Sequence, residues 1–171
     1  QCLSKRHPNL RLTVIHHTEN AENFNAVLKE FNHNEQIEFL QVKDINVGTA
    51  MLLSEKIEAG HLIAIAGDRV SVSQPGKNIE IDFLGAKASL PAGPFTLANA
   101  LGCSVLFLAS VKIGQRYRIA FEQLRPKTTI KRSERAKAIH HLATCYAQQL
   151  ERFVRMAPYQ WFNFFPFFSG K

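Results

Sequence analysis

The residues best suited to binding a charged substrate are Asp68 and Arg69, which follow the apolar run Leu62 to Ala66. A run of this kind is typical of a strand buried on both faces of a sheet. Ligands of open α/β sheets bind beyond the carboxyl ends of the strands, and a guanidinium pairs well with phosphate oxygens. Gly67, Asp68 and Arg69 are therefore a candidate substrate-binding segment, with Arg69 for a phosphate or pyrophosphate and Asp68 for a hydroxyl. A structural turn with an ion pair is the alternative.

A second candidate site is the start of a helix at Pro91-Ala92-Gly93-Pro94. Free backbone N–H groups at the start of a helix attract anions, and a glycine lets a substrate approach the backbone closely. Pro91, Gly93 and Pro94 are therefore predicted to bind substrate. An ordinary helix start, with proline in the first turn, explains the same residues.

The elements that position these residues alternate between strand and helix, which predicts an α/β domain over residues 1–171 with a mixed central sheet and helices on both of its faces. Apolar periodicity predicts a helix after Asn20 and another over Val47–Ala59, with Val47, Ala50, Met51 and Ile57 on one face and Gly60 at its end. It also predicts a hairpin turning at Gly114 and a long last helix from Ser133. The predicted strands are Leu10–His16, Ile37–Val42, Leu62–Ala66, Asn78–Leu84, Val105–Val111 and Tyr117–Phe121.

Charge, cysteine spacing and the length of the apolar stretches limit the kinds of function that the chain can have. The 171 residues carry a net charge of +7 and three cysteines, with no spacing that suggests a metal knuckle or redox pair. The longest apolar stretch has the length of a strand, too short to span a membrane. No nucleic-acid-binding module accompanies the basic charge. A basic stretch forms a candidate partner or membrane surface, with an ordinary solvated surface as the alternative; its candidate residues are Arg116, Arg118, Lys131, Arg132 and Arg135.

Seven aromatic residues lie within residues 159–168. Such a segment either packs back onto the domain or anchors it at a membrane interface. Trp161 and Phe162 are expected to pack, whereas Phe167 and Phe168, near the end of the chain, are expected to face a membrane.

Five blocks occur in a fixed order along the chain. They are Gly67-Asp68-Arg69, Asp82-Phe83-Leu84-Gly85, Leu90 to Phe95, Leu97 to Cys103 and Ala157 to Phe165. In this order and spacing the chain resembles the bacterial lipid A biosynthesis acyltransferase family, and most closely its predicted acyltransferases that end on Gln-Trp-Phe-Asn-Phe. The resemblance covers nearly the whole chain, and the family's mixed-sheet α/β fold agrees with the prediction from periodicity.

The resemblance implies transfer of a fatty acyl chain from acyl carrier protein to a hydroxyl of a lipid or glycolipid, with no metal or cofactor. The family's signature is a histidine separated by four residues from Asp or Glu, in which the histidine is the general base and the carboxylate orients it. His17 and Glu22 fit this spacing but follow the strand that the signature should precede, so they are weak candidates. The signature is expected upstream of Gln1, and the chain alone is expected to be inactive.

The implied partners are acyl carrier protein, the lipid acceptor and the membrane surface, at the cytoplasmic face of a bacterial inner membrane. Acyl carrier protein and the inner leaflet are both acidic, so a basic surface would raise encounter rates with either. Two other functions stay open. One is a non-catalytic module that docks acyl carrier protein or an anionic membrane, and the other is a different α/β transferase, such as a nucleotide-sugar transferase with Asp68 as a ligand.

Overall fold

A computed structural model of the chain describes residues 7, 9–16, 36–41, 46–69, 78–163 and 167–169. The chain divides into two compact units, residues 1–66 and 67–171, which are described one at a time. The α/β class is confirmed, since helices and short strands alternate through both units. The described strands pair in three groups, one parallel and two antiparallel. The helix predicted after Asn20 lies outside the described residues, and the single domain over 1–171 stays a prediction.

The first unit contains a three-stranded parallel sheet in the order β2-β1-β3. Strand β1 (Leu12–His16) lies between β2 (Ile37–Gln41) and β3 (Leu62–Ile65). Thr13 and Ile15 of β1 are buried and alternate with half-buried neighbours, as the two-residue period of a strand requires. The expectation that the strand after Gly60 is buried on both faces is wrong. It is an edge strand of the described sheet, and its first residue is exposed.

Helix α1 (Val47–Glu58) also belongs to the first unit. Asn46 caps its start by accepting a hydrogen bond from Thr49 N–H at 3.0 Å. Gly60, with φ of +86°, ends it in a Schellman motif, in which His61 N–H donates to Lys56 C=O and Gly60 N–H to Ile57 C=O.

The residues predicted to share one face of α1 do not form its buried face. Val47 and Met51 are exposed, and Leu53 is the residue of this helix that is fully buried. Val47 and Met51 share a face by their spacing of four residues, but spacing alone does not say which face of a helix meets the sheet.

The second unit begins with two antiparallel hairpins separated by helix α2 (Ala92–Leu101). Strands β4 (Asn78–Phe83) and β5 (Ala86–Pro91) are joined by Leu84 and Gly85, whose φ angles of 52° and 83° are those of a type I′ turn. Strands β6 (Val105–Ile113) and β7 (Arg116–Arg125) turn at Gly114, as predicted. The strand β5 was not foreseen.

Helix α3 (Arg135–Met156) packs across both hairpins and closes the core of the second unit. Its buried residues recur at helical spacing along one face, as the sequence predicted. Phe83 of β4, Leu90 of β5 and Phe107 of β6 are buried together with this face. The buried residues of α3 are Leu142, Ala143, Ala147, Leu150, Phe153 and Val154.

Residues 167–169 add a short extended segment to the free edge of β5. Ser89 N–H donates to Phe167 C=O at 3.1 Å, and Ser169 N–H donates to Lys87 C=O at 2.8 Å. Because side chains alternate across an extended chain, Phe167 faces the core and Phe168 faces outward. The expectation that Phe167 is exposed at a membrane interface is therefore wrong: it is only 4% exposed, whereas Phe168 is 42% exposed.

Of the two aromatic residues Trp161 and Phe162, which precede this segment, one packs against the core and the other is exposed. Trp161 packs against the rings of Phe83 and Phe167, at centroid distances of 5.3 and 5.0 Å, as expected. Phe162 is 64% exposed, so the expectation that it packs into the core is wrong. Within the part of the chain that the structure describes, no helix is both long and apolar enough to cross a bilayer.

Candidate functional site

The segment Gly67-Asp68-Arg69 is fixed to the second unit by its first two residues. Gly67 is buried, Asp68 is half-buried and Arg69 is exposed. The indole N–H of Trp161 donates to Asp68 Oδ2 at 3.2 Å. Asp68 is thus held by a residue from the end of the chain, and among the described residues no carboxylate forms an ion pair with Arg69. The turn closed by an Asp68–Arg69 ion pair is not what the structure shows.

Tyr146, on α3, supplies the floor beneath this segment. A Cβ atom placed on Gly67 would lie 3.0 Å from Tyr146 Cζ, so only glycine lets the backbone approach the ring this closely. Burial is the main cause that raises the pKa of the Tyr146 phenol, and the negative charge of Asp68 raises it further. A hydrogen bond with the Gly67 backbone acts in the opposite direction. Tyr146 is therefore a neutral hydrogen-bonding group at every physiological pH.

The same tyrosine contacts the helix that the second predicted segment begins. Its ring meets Phe95 of α2 edge-on at a centroid distance of 5.6 Å and Phe107 at 5.5 Å. Such pairs contribute about 0.5–1.5 kcal/mol each beyond the area they bury. Phe95 follows Pro94 directly, so Tyr146 contacts both Gly67 and the first turn of α2.

The first turn of α2 has backbone N–H groups with which an anion could form hydrogen bonds. Pro91 precedes the helix with φ −64° and ψ 132°, makes no side-chain cap, and no acidic residue lies in the first turn. Pro94 is the third helical residue and has no N–H to offer. Ala92 and Gly93 therefore carry the N–H groups that a helix of this sequence leaves without an intrahelical acceptor at this point.

Gln160 and Trp161 give the block near the end of the chain a clear structural role. The Gln160 amide accepts from Lys112 N–H and donates to Lys112 C=O, both at 2.8 Å, which completes the edge of β6. Trp161 then reaches Asp68. Sequence reasoning missed these two contacts and the role of Tyr146. The one available signal for Tyr146 was the glycine at position 67, which marks a close approach without naming its partner.

The weak candidates for the family's histidine–carboxylate pair, His17 and Glu22, lie outside the described residues. His33 and Glu38 have the same spacing. His33 also lies outside the described residues, and the Glu38 carboxylate forms an ion pair with Lys56 at 2.5 Å.

No group of three or more His, Cys, Asp or Glu side chains that could hold a metal ion occurs within the described ranges. The adjacent histidines of α3, His140 and His141, are both exposed, as expected for residues that point in different directions on a helix.

The predicted basic surface residues are all exposed in the second unit. Arg116 and Arg118 lie at the tip of the β6–β7 hairpin, and the other three lie at the start of α3. Their role as a partner or membrane surface stays a prediction. The three residues near α3 are Lys131, Arg132 and Arg135.

Comparison with known families gives a match over almost the full length. The family model described as bacterial lipid A biosynthesis acyltransferase matches residues 1–169. Both candidate segments and the aromatic block near the end of the chain fall inside the match. No curated protein matches the chain.

Proposed function

Because the chain belongs to the bacterial lipid A biosynthesis acyltransferase family, we propose that it serves acyl transfer from acyl carrier protein to a hydroxyl of a lipid or glycolipid. Family membership supports acyl transfer to a lipid acceptor; the carrier-protein donor and the hydroxyl are the proposal. In this reaction the acceptor oxygen attacks the thioester carbonyl, the carbon–sulfur bond breaks, and the carrier thiol leaves while an ester forms. The acceptor proton passes to a general base and then to the departing sulfur.

The arrangement of Asp68 and Arg69 is the observation that carries the proposal for this site. Asp68 is anchored by Trp161, and the backbone is seated on Tyr146. The next side chain, Arg69, is exposed and stands on an anchored backbone. A guanidinium held this way at its base is suited to a phosphate or pyrophosphate group, which it can bind through two parallel hydrogen bonds. We assign to Arg69 a phosphate of the donor or the acceptor.

The first turn of α2 is the second part of the proposed site. Gly93 allows close approach, and the backbone N–H groups of Ala92 and Gly93 would stabilise negative charge, including the oxyanion formed when the thioester is attacked. Pro91 and Pro94 fix the backbone on either side of them. We assign no general base to the described histidines, since none of them is followed at the fifth position by Asp or Glu.

Acyl carrier protein and the cytoplasmic leaflet of the inner membrane are the proposed partners outside this site. Both are acidic, and the exposed basic residues of the second unit would raise the rate of encounter with either. Arg132 and Arg135, near the start of α3, would meet an acidic protein, and that contact should weaken as salt rises.

The test compares Arg69→Gln with Lys87→Gln, which removes a different exposed cation that forms a surface ion pair with Asp82 at 2.7 Å. Binding of a bisphosphorylated glucosamine lipid in detergent micelles is measured by titration calorimetry. Losing one charge-assisted hydrogen-bond pair costs about 1.5–3 kcal/mol, so Arg69→Gln should weaken binding roughly 10-fold or more. Lys87→Gln should leave it within about 2-fold.

The dephosphorylated lipid is the second control. It should bind the wild-type chain and Arg69→Gln alike, because the proposed contact is to phosphate. Equal weakening for both lipids would show that Arg69 does not bind phosphate, and unchanged binding of the phosphorylated lipid would remove Arg69 from the site. Titration with acyl carrier protein tests the donor: no binding at low salt would contradict the carrier-protein proposal.

A further inference from the structure

The outer face of the β6–β7 hairpin is an apolar surface without a role in the site described above. The register places Leu108 opposite Phe121 and Ser110 opposite Ile119, so these side chains project on one side. The opposite side carries Phe107, Val111 and Ala120 into the core. We call the first side the outer hairpin face; its large apolar members are Leu106, Leu108, Tyr117, Ile119 and Phe121.

The central residues of this face are much more exposed than surface apolar residues need to be. Leu108 and Ile119 are each 66% exposed and Phe121 is 62% exposed. With their neighbours they form a continuous patch on the order of several hundred Å², a size that on a protein surface marks an interaction site. Five large side chains on one strand pair are more than scattered surface hydrophobics would explain.

Charge at the tip of the hairpin indicates which kind of partner covers the face. Lys112, Arg116 and Arg118 are exposed there. The register places Lys112 opposite Tyr117, on the outer hairpin face, whereas Arg116 and Arg118 project from the other side of the turn. Glu122 is the single acidic residue between positions 105 and 125, and its carboxylate is held by Arg152. The apolar face therefore ends at a tip with positive charge on both sides, and among the described residues no carboxylate forms an ion pair with these three cations. Apolar side chains next to basic residues are the combination that binds an anionic lipid surface. Tyr117, at the tip, has the amphipathic ring that suits the headgroup level.

Two other kinds of partner fit less well. A second copy of the chain would bring the same three cations and no carboxylate to balance them. A specific protein partner forms about one hydrogen bond per 100–200 Å² of interface. Apart from Lys112 at its end, the outer hairpin face offers few polar side chains, chiefly Ser110 and Gln123. A lipid surface needs no matching hydrogen bonds.

We propose that the outer hairpin face docks on an anionic membrane, with the apolar side chains in the acyl–headgroup boundary and the tip cations at the lipid phosphates. The inference rests on the proposed function in one respect, that acyl transfer to a lipid takes place at a membrane. It assigns docking to a surface that differs from the proposed contacts of Arg69 and from the buried Phe167.

The experiment measures cosedimentation of the protein with vesicles of phosphatidylcholine, alone or mixed with phosphatidylglycerol. The variant Leu108→Ser, Ile119→Ser, Phe121→Ser should lower partitioning onto the mixed vesicles ~10-fold or more, because binding scales with buried apolar area. The matched control, Val47→Ser with Met51→Ser, removes exposed apolar side chains of α1 (76% and 62% exposed) and should change partitioning less than about 2-fold.

Two further sets of variants test whether the position of the basic residues matters, or only the net charge of the protein. Lys112→Gln, Arg116→Gln, Arg118→Gln should lower binding to mixed vesicles ~10-fold and leave neutral vesicles unaffected, because each basic residue near an anionic surface contributes separately. Lys131→Gln, Arg132→Gln, Arg135→Gln removes the same charge elsewhere and should have the smaller effect. Equal effects of the two sets would overturn the assignment to the hairpin.

Two other results would also overturn the inference. One is wild-type partitioning of the Leu108→Ser, Ile119→Ser, Phe121→Ser variant. The other is a wild-type dimer in sedimentation velocity that this variant abolishes, which would make the face a contact between two copies. The assay measures vesicle docking without an acyl donor or carrier protein, so failure of the docking face and failure of the proposed function can be told apart. Normal vesicle docking without lipid or carrier-protein binding would remove the proposed function and leave the docking face intact.

Discussion

Replacing Gly67 by alanine tests the contact on which the proposed site stands. The added Cβ would lie 3.0 Å from Tyr146 Cζ and 3.2 Å from both Cε2 and Oη, whereas carbon atoms in comfortable contact lie about 3.5–4.0 Å apart. The ring cannot simply withdraw, since Phe95 and Phe107 pack against it. The backbone of Gly67 is not in the left-handed region, so the substitution tests the contact and not the conformation.

The expected cost follows from overpacking. Forcing a methyl group into a packed site costs about 1–3 kcal/mol, and the lower chain entropy of unfolded alanine returns about 0.4–1 kcal/mol of this. We expect Gly67→Ala to lower the free energy of unfolding by about 1–2 kcal/mol. Urea unfolding followed by the fluorescence of Trp161, the single tryptophan of the chain, measures it. This probe lies in the same unit and is bonded to Asp68.

Two controls make the result specific. Gly48→Ala, in the first unit and therefore followed by circular dichroism, places a Cβ 3.4 Å from Asn46 Oδ1, an ordinary distance. Alanine in a helix should be neutral or stabilising by up to about 1 kcal/mol. Tyr146→Ala removes the obstructing ring, so adding Gly67→Ala to it should cost much less than Gly67→Ala alone. A free energy of unfolding for Gly67→Ala within about 0.5 kcal/mol of wild type would refute the contact and, with it, the seating of Arg69 on α3.

Two further changes test the frame around the site. The Glu151 carboxylate accepts from Leu84 N–H at 2.9 Å and from Arg155, and these contacts, the backbone one first, lower its pKa. Glu151→Gln should cost about 1–2 kcal/mol at pH 7. A carboxylate with a lowered pKa contributes stability that is lost as the pH falls through its folded-state pKa. The difference in free energy of unfolding between Glu151→Gln and wild type should therefore vanish in urea titrations well below pH 4.5, the ordinary pKa of this group. A difference that stays constant with pH would refute the role of the charge. Phe167→Ala should cost about 3–5 kcal/mol and Phe168→Ala less than about 1 kcal/mol by thermal unfolding, and equal costs would contradict the alternation along residues 167–169.

The sequence predicted well those elements whose signals are local. Gly60 carries the capping chemistry that ends α1, and Gly114 supplies the positive φ on which the β6–β7 turn depends. The long apolar stripe of α3 has the helical period over several turns, and the structure buries it. In each case a few neighbouring residues determine the conformation, so no knowledge of the remaining chain was needed.

The errors occurred where distant parts of the chain decide. Phe167 was expected outside because it lies near the end of an aromatic run, yet hydrogen bonds to β5 turn its ring inward. Strand β5 was missed because Ala86 to Pro91 has no apolar alternation strong enough to be recognised, and it forms through pairing with β4. The face predicted for α1 did not include its buried residue for a similar reason: Leu53 is buried and Met51 exposed, and nothing local distinguishes the two.

Asp68 and Arg69 are adjacent in the first candidate segment but have different roles. Asp68 satisfies the indole N–H of Trp161, a group that would lose about 1–3 kcal/mol if buried without an acceptor. Its carboxylate is therefore occupied in holding the end of the chain against Gly67. Arg69 forms no comparable contact among the described residues. Ordering its exposed side chain costs only the conformational entropy of that side chain. An anchored residue followed by an unoccupied cation is what a phosphate-binding segment requires, since the anchor fixes the backbone before the ligand arrives and less ordering remains to oppose binding.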